Sequence, residues 1–487
     1  MRAILSDKDS RILNLVEFLY GKQNISFKET CECLNITIKT LKNDIHRANY
    51  LLKPIKINDA GEKGIVLYIP TDYSISYLYT ALLSSSKEFN ILERIFFNES
   101  YTLNQLADLE FMSTSTLRRM ISRVNTTLNK IGVEISINPM KLIGDERSVC
   151  NFFIHYIFEK YPKEKKPFKQ QQQDAIIDLV VKILKKNDIT LTYFELEKIK
   201  VTTLVFLTRV QNKHLQVVHL ENNSQFDLSG IDHVTLKIIF ETIFNIRYTK
   251  ENLYALFPRY FNLNYSFNYD QLLENSKQNP KLDQTKQKFE KLISSITSEL
   301  KIESQSKETL LVQLCNMRHM HFGKPFILYN MYSYFKIRFQ KNSPHSIDFI
   351  SREIRNIFSN EIIEDYEIDI YIYYLITNWG NLYSEFEKYA PKLKLGLFYN
   401  SEVAHIKLIK DEIKKKMGHC FDVNIIDGVN RFEIESKYAK FDLILTNIAG
   451  ISFEKTEIIC FPVGIGDTDW AKLFSCYKKI IKEGHTN

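Results

Sequence analysis

The sequence predicts a multidomain, mainly α protein with two winged helix-turn-helix domains, two all-helical modules and a C-terminal α/β domain. A helix-turn-helix pattern that begins near Ile36 is repeated 76 residues later, near Met112. Apolar residues then recur at helical spacing through the middle of the chain, and after residue 391 short apolar runs alternate with helices. We therefore expect five parts, at residues 1–70, 71–159, 174–275, 289–390 and 392–487.

The N-terminal repeat includes both apolar and polar positions. Ile36-Thr37, Thr40-Leu41, Ile45, Arg47, Asn49, Leu52 and Ile57-Asn58 recur as Met112-Ser113, Thr116-Leu117, Ile121, Arg123, Asn125, Leu128 and Ile137-Asn138. Repetition of this kind indicates two copies of one structural unit.

The first copy predicts a short helix, a turn and a second helix that Thr37 caps. Its buried stripe is predicted to contain Ile38, Leu41, Ile45, Ala48 and Leu52. The outward face then carries Lys39, Lys42, Asn43, His46 and Arg47. Apolar runs at 54–57 and 64–69 flank turn-forming residues, which predicts a β-hairpin wing.

The second copy follows the same plan, with Ser113 as the cap and a wing at 133–143. Its buried stripe is predicted to contain Leu117, Met120, Ile121, Val124 and Leu128, and its outward face Ser115, Arg118, Arg119, Ser122 and Arg123. Phosphates attract such a cationic face, and base edges accept from Arg and Asn donors. One such helix could equally be an amphipathic helix with solvated charges. The repetition favours two DNA-binding units.

The composition argues against a membrane protein, a secreted protein and a metal-binding protein. The 487 residues are 44% hydrophobic and carry a net charge of +7, while residues 1–160 hold 20 basic against 18 acidic residues, so the cationic signal is confined to the two helical faces. No apolar run reaches the ~18 residues of a membrane span, and the acidic start does not resemble a signal peptide, so we expect a cytoplasmic protein without membrane contact. The seven scattered cysteines form no metal-ligand pattern, and we expect neither metal nor cofactor.

Histidines lie at predicted helix ends in the middle of the chain. His214 and His219 follow Arg209, and His319 and His321 follow Arg318. A histidine ring can accept phosphate, whose negative charge a nearby arginine can pair. The same residues are also common as ordinary hydrogen-bonded histidines near helix C-termini. Both interpretations remain open from spacing alone.

In the C-terminal domain, short apolar runs predict four strands, at 393–399, 421–426, 441–446 and 458–463. Helical spacing of apolar residues predicts helices at 402–417 and 470–481. This alternation is typical of a small parallel sheet, whose ligand loops would be 400–402 and 447–450. The loop after the first strand has neither a glycine-rich phosphate motif nor a cysteine nucleophile. We therefore expect no catalytic site and no enzymatic activity.

The order of these parts resembles the Mga/AtxA family of transcriptional regulators from low-GC Gram-positive bacteria. The repeated motifs prompt this resemblance, together with Leu142-Ile143-Gly144-Asp145-Glu146-Arg147, the spacing of Arg209 and His214, and Asn378-Trp379. It implies that the helical modules are phosphotransferase-system regulation domains and that the tail is enzyme IIB-like.

The resemblance also implies functional residues. Phosphorylation is expected at His214, with His219 as a further candidate. Relatives often carry a histidine where this chain has Asn378, so in the second module either His319 or His321 takes that role or phosphorylation is absent. The expected donor is the phosphocarrier HPr or an enzyme II component. The missing cysteine favours docking or homodimerisation by the tail.

The leading hypothesis is therefore a DNA-binding transcriptional regulator, an activator, that histidine phosphorylation controls. One alternative is a phosphocarrier component of a sugar phosphotransferase system, which the missing loop cysteine disfavours. Another is an RNA-binding antiterminator. It is disfavoured because the deep, narrow major groove of duplex RNA excludes a recognition helix.

Overall fold

The computed structural model describes residues 1–22, 24–59, 61, 64–161, 166–186, 191–214, 232–257, 259–260, 262–302, 306–320, 326–342, 344–382, 384–385, 392–426, 438, 440–451 and 456–484. The chain divides into two compact units. The first contains Met1–Thr285 and Cys315–Asn330, and the second contains Lys286–Leu314 and Met331–Asn487. The predicted segment 289–390 contributes to both units, so the five-part division stays a prediction.

The first unit begins with two winged helices in sequence. The first consists of α1 (Asp7–Leu19), α2 (Phe27–Leu34), α3 (Ile38–Leu51), β1 (Lys56–Asp59) and β2 (Ile65–Tyr68). The second consists of α4 (Ser76–Ser85), α5 (Lys87–Phe97), α6 (Leu103–Leu109), α7 (Thr114–Leu128), β3 (Val133–Ile137) and β4 (Met140–Gly144), and α8 (Glu146–Lys160) follows. Both hairpins are antiparallel, as a wing requires.

Both predicted helix caps are present in the structure, and most residues of the predicted buried stripes are buried. Thr37 Oγ1 accepts from the Thr40 amide and Ser113 Oγ from the Thr116 amide, each at 3.2 Å. Leu41 and its repeat equivalent Leu117 are fully buried. One hydrophobic core contains the apolar residues of both winged helices. The two copies therefore pack as one body.

Helices continue through the middle of the chain. They are α9 (Gln170–Lys186), α10 (Tyr193–Gln211), α11 (His233–Ile238), α12 (Lys250–Leu256), α13 (Tyr269–Gln278), α14 (Pro280–Leu300), α15 (Lys307–Met320), α16 (Met331–Asn342), α17 (Pro344–Ile357) and α18 (Asp365–Asn378), with a π-helical turn at Ile239–Ile243. The mainly α class is confirmed.

Helices extend into the two polar stretches, 160–173 and 276–288, that separate the expected parts. Gln172 and Gln173 lie buried in α9, where their side-chain amides donate to the carbonyl oxygens of Ile243 (3.4 Å) and Phe168 (3.0 Å). Between α13 and α14 only Asn279 interrupts the helix, and its side chain accepts from the Lys281 amide at 3.2 Å. Pro280 follows at the first helical position, where the missing N–H is not needed. Hydrogen bonds and capping thus override composition.

The second unit ends in the predicted parallel sheet. Its strands are β5 (Leu393–Phe398), β6 (Phe421–Ile425), β7 (Leu443–Thr446) and β8 (Glu457–Cys460), in the order β6-β5-β7-β8. The accompanying helices are α19 (Val403–Met417) and α20 (Asp467–Gly484). All paired strands are parallel, which confirms the α/β prediction.

Candidate nucleic-acid interface and regulatory histidines

The outward face of α3 is polar and accessible. Lys39, Lys42, Asn43 and His46 are exposed, while Ala48 on the opposite side is fully buried. The Lys42 ammonium lies 5.9 Å from the centre of the Phe27 ring on α2, which leaves its charge at the surface. This face can donate hydrogen bonds to phosphates and to base edges.

The equivalent face of α7 carries Ser115, Arg118, Arg119 and Ser122, all exposed. The Ser115 hydroxyl lies 2.9 Å from that of Ser113, at the capped start of the helix. Two guanidinium groups and two hydroxyl groups on one face match the donors that major-groove readers use. Eight of the ten predicted DNA-contact residues therefore lie exposed on the two recognition helices.

The other two, Arg47 and Arg123, have carboxylate partners within the protein, and their contact with DNA stays a prediction. The Arg47 guanidinium contacts the buried Asp9 carboxylate on α1 at 2.7 Å. Arg123, its repeat equivalent, pairs with the buried Glu88 carboxylate on α5. Each arginine connects a recognition helix to an earlier helix of its own winged helix, α1 for Arg47 and α5 for Arg123. The spacing pointed them outward, but it could not show that a neighbouring helix supplies a carboxylate.

Arg123 also joins the two winged helices. Its guanidinium donates to the carbonyl oxygens of Leu5 (3.0 Å) and Ile4 (3.3 Å), and the Thr127 hydroxyl donates to the Ala3 carbonyl at 3.3 Å. The N-terminal segment of the first winged helix is thereby held along α7 of the second. The separation of the two recognition helices is fixed by these contacts and by the shared core.

The repeated asparagines hold the wings. Asn49 donates to the Ile57 carbonyl at 2.9 Å and accepts from the Ile57 amide at 2.6 Å. Asn125 makes the same pair of bonds with Ile135, at 3.0 and 2.9 Å. The wing equivalent of Ile57 is therefore Ile135, not Ile137 as the sequence comparison suggested. The connection from the asparagine to the wing isoleucine is longer in the second copy, 10 residues against 8, so the constant offset of the repeat ends before the wing.

A second cluster, the Arg209 cluster, joins α10 to the second winged helix. Arg209 is fully buried and is bound by two carboxylates: Glu146 at 2.6 and 2.8 Å and Glu99 at 3.0 Å. It also donates to the Leu142 carbonyl of β4, at 3.0 Å. The helical part of the unit is thus connected directly to the second wing.

His214 completes this cluster. Its Nε2 lies 2.6 Å from Glu99 Oε2, and its Nδ1 lies 3.5 Å from Glu146 Oε1. Both ring nitrogens therefore face carboxylates that also bind Arg209. The sequence placed His214 near Arg209, but the two glutamates, distant along the chain, carried no local signal.

The other candidate histidines differ. His319 is partly buried, with Nε2 3.2 Å from the Arg259 carbonyl and 3.3 Å from the Asn262 amide nitrogen. Burial, chiefly, and the nearby Arg259 charge together lower its pKa to about 4. Asn378 ends α18 and donates to the Tyr374 carbonyl at 2.9 Å. His219 and His321 lie outside the described residues.

The C-terminal loops are joined by one side chain. The side-chain amide of Asn447 accepts from the Asn400 backbone N–H at 2.7 Å and donates to the Asn400 carbonyl at 3.3 Å, so the loops after β5 and β7 are linked.

Among the described residues, no cluster of metal-ligating side chains is found, and none of the helices has the length and apolar character of a membrane span.

Comparison with known proteins finds one matching domain and several similar regulators. Residues 71–157 match the Mga helix-turn-helix domain. The sequence is 24% identical over 474 residues to a protein named as a trans-acting regulator of Streptococcus pneumoniae serotype 4, covering 94% of this chain and 95% of that protein. It is 27% identical over 211 residues to the capsule synthesis positive regulator AcpA of Bacillus anthracis (43% of this chain, 44% of that protein). It is 23% identical over 203 residues to the anthrax toxin expression trans-acting positive regulator of the same organism (41% and 42%). The chain thus carries an Mga helix-turn-helix domain and is similar over nearly its whole length to a trans-acting regulator.

Proposed function

We propose that this regulator activates transcription by binding duplex DNA with α3 and α7 together, and that it is not an enzyme. The observation that carries the proposal is the pair of capped recognition helices, each with an exposed polar face, packed into one core. The relatives named as positive regulators support activation over repression.

The proposed DNA contacts are the exposed residues of the two faces. They are Lys39, Lys42, Asn43 and His46 on α3, and Ser115, Arg118, Arg119 and Ser122 on α7. Changing Lys39 and Lys42 to Ala together should weaken binding at every sequence and reduce its salt dependence. The matched control is Lys277→Ala with Lys281→Ala, which removes the same charge from exposed positions elsewhere in the first unit. Equal binding by both double variants would refute the proposal.

We infer that phosphorylation of His214 regulates this binding. A phosphate adds a charge of about −1.5 to −2. Placed on either ring nitrogen of His214, it would face Glu99 or Glu146 at hydrogen-bonding distance or close to it. One carboxylate must leave, and Arg209 is the cation available to pair the phosphate. Because Arg209 holds β4 through Leu142, this exchange would loosen the contact between α10 and the second wing.

Phosphotransfer tests this regulation directly. The protein is incubated with HPr, the first enzyme of the phosphotransferase system and phosphoenolpyruvate, and acid-labile phosphate is located by mass spectrometry. Phosphate is expected on His214 and absent in His214→Ala. His319→Gln is the matched control: His319 Nε2 lies against the Arg259 carbonyl and the Asn262 amide, away from the Arg209 cluster, so phosphate on His214 should be unchanged in this variant. If no histidine carries phosphate while a known regulator in the same reaction is phosphorylated, the proposed regulation is wrong. The helical parts would then have only a structural role.

We also propose a homodimer formed through the C-terminal domain. Val403 and Leu408 on α19 are 62% and 57% exposed, as a self-association surface would require. Changing both to Glu should halve the mass measured by light scattering without loss of helix. An unchanged mass would exclude these two side chains from the interface.

A further inference from the structure

Two large apolar side chains are exposed at the entrance to the recognition helices. Ile38 is the first residue of α3 and is 54% exposed, although its spacing placed it in the buried stripe. Phe111 lies two residues before the Ser113 cap of α7 and is 93% exposed. Both belong to the turn or the first helical position, where helix-turn-helix proteins approach base edges.

The repeat shows that the fold does not require Phe111. Its equivalent in the first copy is Asn35, and the two turns have the same geometry. The φ angles are 51° at Asn35 and 50° at Phe111. The following amides, of Ile36 and Met112, each donate at 3.0 Å to the carbonyl five residues earlier. Asparagine adopts this left-handed conformation readily, whereas a bulky side chain is disfavoured there. Phe111 is therefore unfavourable both for the backbone and for solvation.

The exposed neighbours indicate the occupant. Phe111 precedes the face that carries Ser115, Arg118 and Arg119, and Ile38 lies beside Lys39 and Lys42. Apolar groups surrounded by cations and hydroxyl groups fit duplex DNA better than an apolar protein surface. In the major groove, the apolar group on a base edge is the 5-methyl group of thymine.

We propose that Ile38 and Phe111 each contact a thymine methyl group, so that each winged helix prefers thymine at one position of its site. This inference rests on the proposed DNA binding and adds a base preference to it. Loss of one methyl contact should weaken binding about fourfold, which is the ~0.8 kcal/mol of one buried CH₂ group converted at ~1.4 kcal/mol per factor of ten. Loss of both should weaken it about fifteenfold.

The test compares one duplex in two chemical forms. A duplex is selected from random 40-mers by the wild-type protein and then synthesised with thymine or with uracil, which lacks only the methyl group. The wild type should bind the uracil form about fifteenfold more weakly. Ile38→Thr and Phe111→Asn introduce the residues that the other copy carries at these positions, Thr114 and Asn35, so both variants should fold. Each should lose about fourfold of the thymine preference.

A control variant, Ile362→Asn, removes an 89% exposed apolar side chain from the second unit and should keep the full preference. If the wild type binds both forms equally, the inference is overturned while DNA binding stands. If the two variants keep the wild-type preference for thymine, the inference is also overturned. Ile38 and Phe111 would then be assigned to contact with a protein partner instead. If no duplex is selected at all, the proposed function itself fails.

Discussion

Arg119 and Arg123 lie one turn apart on α7, yet their replacement should have opposite consequences. Arg123 pairs with Glu88, whose carboxylate is 5% exposed, and donates to the carbonyl oxygens of Leu5 and Ile4. Removing one partner of a fully buried pair costs about 3–5 kcal/mol. Because 41% of the Arg123 side chain is exposed, water can partly replace it, and we expect Arg123→Ala to lower the free energy of unfolding by about 2 kcal/mol.

Arg118→Ala with Arg119→Ala should instead leave the free energy of unfolding within ~0.5 kcal/mol of wild type, because both side chains are exposed. Each lost phosphate contact lowers the slope of log K against log salt by about 0.9, so this double variant should lose nearly two units and Arg123→Ala none.

The assay combines urea unfolding, followed by far-ultraviolet circular dichroism, with DNA titrations at several salt concentrations. Circular dichroism is needed because both tryptophans, Trp379 and Trp470, lie outside the winged helices. A cycle with Glu88→Gln isolates the Arg123 pair. A lower slope of log K against log salt for Arg123→Ala, with an unchanged free energy of unfolding, would refute our assignment. Arg123 would then contact DNA rather than join parts of the protein.

Three further predictions follow from the same contacts. Asn125→Ala should lower the free energy of unfolding by about 2 kcal/mol, because it leaves the amide and carbonyl of the buried Ile135 without their partner, and hydrogen exchange should rise in β3 and β4. The pKa of His319, lowered to about 4 from 6.5, makes its contribution complete above pH 6.5 and progressively lost as pH falls towards 4. His319→Gln should therefore flatten that part of the stability profile, and a profile equal to wild type would contradict the assignment. Inserting either about 5 or about 10 base pairs between the two DNA segments should abolish joint binding, because the separation of the two recognition helices is fixed and cannot adapt to a longer site.

Local sequence patterns predicted the helices, caps and parallel strands well. Leu41 and Leu117 repeat in a helical period, and Thr37 and Ser113 precede their helices as caps, so each carries a signal within a few residues. Such signals depend on neighbours along the chain, which the sequence shows directly.

What the sequence could not predict depends on distant partners. Periodicity placed Arg123 on the surface of α7 but could not show Glu88 beside it. Ile38 fits the apolar stripe, yet at the first position of the helix no preceding turn covers it, and it stays 54% exposed. The Arg209 cluster joins residues up to 115 positions apart, so no local pattern marks Glu99.

The central claim is that α3 and α7 bind duplex DNA as one rigid pair. Hydroxyl-radical footprinting of the selected duplex tests it most directly, with wild type compared against Arg118→Ala with Arg119→Ala and against Lys39→Ala with Lys42→Ala. We predict two protected segments at a constant separation, with each double variant weakening one segment more than the other. A single protected segment, or two segments that neither variant alters, would contradict the claim.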